Sequence, residues 1–369
     1  VKERRGMSQQ ESSSSLVDAL LLKLKRRQLS CKESAIETAE VLRKVIAGAK
    51  GNNPKKLLED VKDIGRKLEE CSPSELVVGN IVRRVLFIIR EEYGNAIQSK
   101  TDQREAEERS NLARNNPSLG NVLEAELSLT GANAWSETVP SNFKHIVVSS
   151  IKELVDELES IKEHIADQAM EHVHANEVIL TCGFSSTVLY FLKEVAKRER
   201  KFEVVVSEMA PSLEGHAMAQ ALAKCGISTT VITDAAIFAI MARVNKVIVG
   251  CKAVLANGGI TSHTGIHTVA VAAKHHNVPF VVCTGMYKLS PVFPHDQYSF
   301  NELKSPAEIS KMGDEAIPRI VRVLNPTSDY VPPELVSLFI TNAGGHNPSY
   351  IYRLLAEYYS LDDRLLGSS

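Results

Sequence analysis

A cysteine and an aspartate each stand where a short apolar run of the chain ends. Cys182 follows the run Glu177–Thr181, and Asp234 follows Thr230–Thr233. Since the segment after each of them has helical period, both residues lie at expected strand-to-helix junctions, where open α/β sheets bind ligands. A helix N-terminus can lower the pKa of a thiol, so the pair could serve as nucleophile and base. A buried structural cysteine and a helix-capping aspartate remain the commoner explanation of such residues.

Two histidines have the spacing of metal ligands. His263 and His267 are four residues apart and could share one face of a helix. No glutamate follows the first histidine and no third ligand is evident, so we expect no metal. Neither G-x-G-x-x-G after a strand nor G-x-x-x-x-G-K-[ST] occurs, and we expect no cofactor.

The elements that must position these residues alternate in type along the second half of the chain. Short β-branched runs, too short for buried helices, alternate with segments of helical period. This order predicts a parallel sheet with crossover helices. The expected strands are Glu177–Thr181, Phe202–Glu208, Thr230–Thr233, Val247–Gly250 and Pro279–Cys283, with one last strand within DYVPPELVSLFITN (residues 329–342).

The first half has helical periodicity instead. We predict a disordered tail over 1–14, a helical domain over 15–141 with a flexible insertion at about 96–141, a connecting helix over 142–176, and a Rossmann-like α/β domain over 177–369. Ser34 is the expected N-cap of one helix. In another, Arg83, Arg84 and Arg90 are expected to form a solvated face, with contact to an acidic partner as the alternative.

Composition limits the classes of partner. Apolar residues make up 44% of the 369 residues and the formal net charge is −2, which gives no reason to expect nucleic acid or an anionic membrane. No apolar run reaches the roughly 18 residues of a membrane helix. The six cysteines include no C-x-x-C pair, which favours reduced thiols in a cytosolic protein.

Several motifs together resemble one family. They are VLFIIREEY, NEVILT, VVVSEMAP with EGH, VITDAAIFAIM, ANGGITSHTGIH, and DYVPPEL with GGHNPSYIYR. The chain resembles the regulatory subunits (alpha, beta and delta) of eukaryotic translation initiation factor 2B and the related sugar-phosphate isomerases, such as methylthioribose-1-phosphate isomerase. The resemblance covers roughly residues 15–95 and 142–360.

The resemblance implies that the isomerase site is altered. The isomerases have a strand-end histidine and cysteine, and Cys182 and Gly183 occupy those two positions here. Their aspartate corresponds to Asp234, which is kept. Glu214 replaces a glutamine of the isomerases, and Lys252 replaces an aspartate. Ser262 and His263 replace an Asn-Lys pair. With the nucleophile and the anion-binding lysine replaced, the resemblance implies no isomerase activity.

It implies instead a regulatory role. The family's exchange factor is a decamer with two copies each of alpha, beta, gamma, delta and epsilon subunits, in which epsilon carries out nucleotide exchange on initiation factor 2. The chain is expected to pair with the delta subunit and to help bind the alpha subunit of initiation factor 2 and sense its phosphorylation. An active isomerase and a metabolite-binding homodimer of the same fold are the alternatives.

Two further sets of residues are expected at contacts between subunits. Asn176 and His216 are expected to line an interface pocket, or else to end a helix and occupy a loop. The aromatic segment GGHNPSYIYRL is the candidate for subunit packing or for core packing, through Asn347, Pro348, Tyr350 and Tyr352.

Overall fold

The structure is a computed structural model that describes residues 15–49, 51–112, 139–296, 301–309 and 321–363, with the backbone alone over 99–112. The predicted tail over 1–14 and most of the predicted insertion lie outside these residues. No helix in the described ranges is long and apolar enough to cross a membrane.

The N-terminal region is helical, as predicted. Ser30, not Ser34, is the N-cap of the second helix, because its side chain and that of Glu33 form a reciprocal capping box. The fourth helix continues to Leu112, well into the predicted flexible insertion. The predicted connecting helix ends at Asp167, before a short additional turn. These helices are α1 (15–25), α2 (Cys31–Gly48), α3 (Pro54–Cys71), α4 (Leu76–Leu112), α5 (Phe143–Asp167) and α6 (Ala169–His172).

The second half is built on a seven-stranded sheet, whose strands are β1 (Val178–Cys182), β2 (Glu203–Ser207), β3 (Ser228–Ile232), β4 (Lys246–Gly250), β7 (Phe280–Cys283), β9 (Leu338–Thr341) and β10 (Gly344–His346). Their order across the sheet is β10-β9-β7-β4-β1-β2-β3. All neighbours pair in parallel except β10, which is antiparallel to β9. A helical region followed by a mostly parallel sheet confirms the predicted fold class. The helices between and after the strands are α7 (Ser186–Lys197), α8 (Glu214–Lys224), α9 (Ile237–Met241), α10 (Ile266–His275) and α11 (Ile351–Tyr358).

A second, smaller sheet was not predicted. It consists of β5 (Ala253–Val254), β6 (Ile260–His263) and β8 (Ser328–Val331), all antiparallel. The prediction of one last strand within residues 329–342 is wrong. A 3-10 turn at Pro333–Leu335 divides this segment, so its first part pairs in the small sheet and its second part forms β9.

The helical region and the sheet share one hydrophobic core. Buried side chains of α4 and α5, among them Leu86 and Ile151, belong to the same cluster as Val204 and Ile248 of the sheet. A second cluster lies between the opposite face of the sheet and helices α9, α10 and α11. The sheet is therefore covered on both sides, as mostly parallel sheets require.

Candidate functional site

Asp234 organises a loop at the carboxyl ends of β2 and β3. Its carboxylate accepts hydrogen bonds from the Ser207 hydroxyl, from the Met209 amide at 3.0 Å and from the Ala210 amide at 2.7 Å. Three donors directed at one carboxylate fix the loop that follows β2. The oxygen atoms of Asp234 are thus engaged with the chain's own groups.

Cys182 is the last residue of β1 and is only 7% exposed. Burial, with a further contribution from the Asp234 carboxylate, raises the pKa of its thiol to about 12. The alternative of a thiolate activated by the helix N-terminus therefore does not hold, and the commoner explanation, a buried structural cysteine, fits the structure. The next residue, Gly183, has a φ of +64°, and a Cβ there would collide with the sulfur of Met209.

Glu214 is the first residue of α8. The following Gly215 lets this helix approach β2 closely, since a Cβ there would collide with the Ser207 carbonyl oxygen. His216 lies in the same first turn, with its Nε2 3.9 Å from a carboxylate oxygen of Glu208.

The predicted pocket of Asn176 and His216 is not formed within the chain. The backbone N–H of Asn176 donates to the Lys201 carbonyl at 2.8 Å, just before β1 and β2 begin. His216 follows the other end of β2. Because β1 and β2 run parallel, Asn176 lies at the amino ends of these strands and His216 lies at their carboxyl ends. Asn176 instead borders an open cavity of about 590 Å³ at the amino ends of β1, β2 and β3.

Lys252, Ser262 and His263 lie together where β4 ends beside the small sheet. The Lys252 amine donates to the Thr327 carbonyl at 3.0 Å and to the Ser328 hydroxyl at 2.7 Å. The Ser262 hydroxyl donates to the Gly250 carbonyl at 3.0 Å. His263 is paired with Ser328 across β6 and β8.

Positive charge surrounds His263. Burial, together with the charges of Lys252, Lys304 and Lys288, lowers the pKa of its imidazole to about 4. Burial also lowers the pKa of Lys252. His263 is therefore neutral near pH 7 and lies in a cationic environment.

His263 and His267 do not share a helix face. His263 is the last residue of β6, whereas His267 lies in the first turn of α10. The tight turn at Gly265, with a φ of +104°, separates the two elements. Among the described residues, no group of three or more His, Cys, Asp or Glu side chains could hold a metal ion.

The segment 344–352 packs against the loop of the ANGG motif. A Cβ on Gly258 would lie 2.6 Å from the Pro348 carbonyl oxygen, so only glycine permits this approach. Asn347 precedes a 3-10 turn at Pro348–Tyr350. Tyr350 stacks on His346 at 5.3 Å between ring centres and stays 36% exposed, and Tyr352 is 58% exposed.

Sequence reasoning missed two polar residues of this region, Ser207 and Lys288. Ser207 ends β2 and links Asp234 to the strand, and its position at the end of an apolar run was the available signal. The Lys288 amine donates to the Cys251 carbonyl at 2.7 Å. Lys288 lies in a short 3-10 turn with no periodic pattern, so nothing in the sequence distinguished it.

The model of the initiation factor 2 subunit family matches residues 28–348, and the chain belongs to this family. Its motifs VNKVI, AAKHH and DYVPPEL indicate, within the family, a resemblance to beta subunits.

Comparison with known proteins confirms that resemblance. The chain is 46% identical to translation initiation factor eIF2B subunit beta of Dictyostelium discoideum, over 94% of this chain and 96% of the relative. The crystal structure of eIF2B beta from Chaetomium thermophilum superposes with a TM-score of 0.72 at 28% identity, covering 97% of this chain and 96% of that one. A chain of the tetrameric eIF2B-beta2-delta2 complex from the same fungus superposes with a TM-score of 0.69 at 28% identity, covering 95% and 97%.

Proposed function

We propose that this chain is a non-catalytic regulatory subunit of the guanine nucleotide exchange factor for translation initiation factor 2. The observation that carries the proposal is similarity over nearly the whole length to beta subunits of factor 2B. The cleft, which differs from that of the isomerases, supports the proposal. The Cys182 thiol stays protonated, and the Asp234 carboxylate accepts hydrogen bonds from the loop after β2. Gly183 stands where the isomerases have their cysteine, so the nucleophile of that reaction is missing.

In this role the chain pairs with a delta subunit through its α/β part and joins a cytosolic decamer with alpha, gamma and epsilon subunits. The relative found in a beta2-delta2 tetramer supports the pairing. The chain also helps to hold the alpha subunit of initiation factor 2. Phosphorylation of that subunit would stabilise an arrangement of the regulatory subunits that disfavours exchange.

The test is a tagged purification of the full chain from its own cells, followed by native mass determination. Recovery of four unlike subunits near the mass of a decamer, with initiation factor 2, is the expected result. Recovery of a homodimer alone would contradict the proposal. A turnover assay with sugar phosphates on that homodimer would then test the isomerase alternative.

A further inference from the structure

The polar side of α4 is covered by the C-terminal end of the chain. Arg90 donates from Nε and Nη2 to the two carboxylate oxygens of Asp363, at 2.8 and 3.1 Å. The Arg84 guanidinium lies 4.3 Å from the centre of the Tyr358 ring and donates to the Tyr358 carbonyl at 3.3 Å. Arg83 is only 4% exposed and pairs with Glu69 at 2.8 Å. The predicted solvated arginine face is therefore wrong, because these side chains bind within the chain.

Asp363 joins two helices through one buried carboxylate. Besides Arg90 of α4, the Lys62 amine of α3 lies 2.8 Å from its Oδ1, and the Asp363 side chain is 0% exposed. Burial alone would raise the pKa of this carboxyl, but Arg90 and Lys62 lower it below its ordinary value. Asp363 is thus an ionised group whose burial depends on both cations.

The other end of the same segment is anchored in the α/β part. Ile351, Leu354 and Leu355 of α11 are buried in the cluster on the far side of the sheet. The Tyr359 ring is 2% exposed, and its hydroxyl donates to the Leu289 carbonyl at 2.7 Å. Residues 351–363, which we call the C-terminal strap, therefore run from an apolar anchor to an ionic attachment on α3 and α4.

One further polar contact joins α4 to the α/β part. The Asn80 side-chain amide donates to the Tyr287 carbonyl at 3.2 Å, one helical turn before Arg84. Asn80, Arg84 and Arg90 thus follow one another along the helix, and each bonds to the C-terminal half of the chain. These bonds border the apolar cluster that α4 shares with the sheet, so they add to that packing along one side of the helix.

We propose that Asp363 is a latch that fixes how α3 and α4 sit on the α/β part. With Asp363 ionised and bound to Arg90 and Lys62, the strap holds both helices in place. Loss of that carboxylate charge leaves two cations facing a neutral group, the strap end detaches, and α3 and α4, still packed in the shared apolar cluster, open locally more often. The device is a property of the chain itself and does not depend on the proposed function.

Hydrogen exchange of the purified full chain, followed peptide by peptide, tests the latch. In Asp363→Asn we expect exchange in α3, in residues 76–98 of α4 and in the strap to rise about tenfold or more, while β1, β2 and β4 keep the wild-type rate. The matched control is Asp362→Asn, because Asp362 is 73% exposed and lies 3.3 Å from Arg90. This control should exchange like the wild type.

Two results would overturn the latch. One is unchanged exchange in α3 and α4 of Asp363→Asn; the other is an equal rise in the strands, since that would mean a general loss of stability. If Asp363→Asn fails to fold, Arg90→Lys decides, because it keeps the positive charge but gives up the bidentate geometry. It should raise exchange in the same helices by a smaller factor, and wild-type exchange there would reject the proposal.

Discussion

Cys182 shows how its surroundings decide whether a strand-end thiol is reactive. Burial raises its pKa to about 12, so almost none of it is thiolate near pH 8. We expect iodoacetamide to label Cys182 of the folded chain far more slowly than Cys225, which is partly exposed. Mass spectrometry of labelled peptides measures both rates in one sample. Labelling of Cys182 at least as fast as that of Cys225 would contradict the burial argument.

His263 should make stability depend on pH. Its folded-state pKa is about 4 and its ordinary value is 6.5, so the unfolded chain binds more protons between these values. The free energy of unfolding should therefore fall as the pH decreases from about 6.5 toward about 4. His263→Gln removes this contribution, and its stability should decline less over that range. Urea unfolding of both proteins at several pH values measures the difference; parallel curves would refute it.

At the scale of elements, two glycines differ in whether a side chain could replace their hydrogen. Gly258 has a φ of +82° and would place a Cβ 2.6 Å from the Pro348 carbonyl oxygen, whereas a Cβ on Gly94 within α4 meets nothing within 4 Å. We expect Gly258→Ala to cost about 1–3 kcal/mol of unfolding free energy. Gly94→Ala should instead stabilise by up to about 1 kcal/mol, because alanine favours the helix. Denaturant unfolding measures both, and equal effects would contradict the assigned contact.

The larger elements could be predicted because their patterns are local. The strand over 246–250 is a β-branched run, and the helix over 186–197 has a regular apolar stripe. The small sheet could not be predicted in this way, since β6 and β8 are separated by more than sixty residues and neither alternates clearly. The DYVPPEL segment looked continuous because the turn at Pro333–Leu335 lies between two apolar parts.

The candidate site could be predicted only in part, for a related reason. Sequence position placed Cys182 and Asp234 at strand ends, which is where they lie. It could not supply the depth of burial that keeps the thiol protonated, nor the bonds from Met209 and Ala210 that engage the carboxylate. It also grouped Asn176 with His216, although Asn176 precedes the first strand of the predicted parallel sheet and His216 follows the second, which already places them at opposite strand ends.

For the whole molecule, the shared core means that the helical region and the sheet support each other. Helix α5 packs on α2 and on α7, so it links both regions through one continuous apolar cluster. The C-terminal strap adds a polar link on the other side, from α11 to α3 and α4. The helical region and the sheet are therefore joined by two separate sets of contacts, one apolar and one ionic.

Subunit pairing should depend on aromatic side chains that the isolated chain leaves exposed. Tyr352 follows the segment packed against the ANGG loop and is 58% exposed, while Tyr190 on α7 is 41% exposed and serves as the matched control. If residues 347–352 pack against a delta-type subunit, Tyr352→Ala should weaken that complex about tenfold or more while changing the chain's own stability little, because interface aromatics contribute most of their energy on binding. Tyr190→Ala should bind as the wild type does. Affinity measured by surface plasmon resonance, beside thermal unfolding of each free chain, separates the two effects. Wild-type affinity in Tyr352→Ala would assign this segment to packing within the chain. The close approach of Pro348 to Gly258 already favours that alternative for the start of the segment.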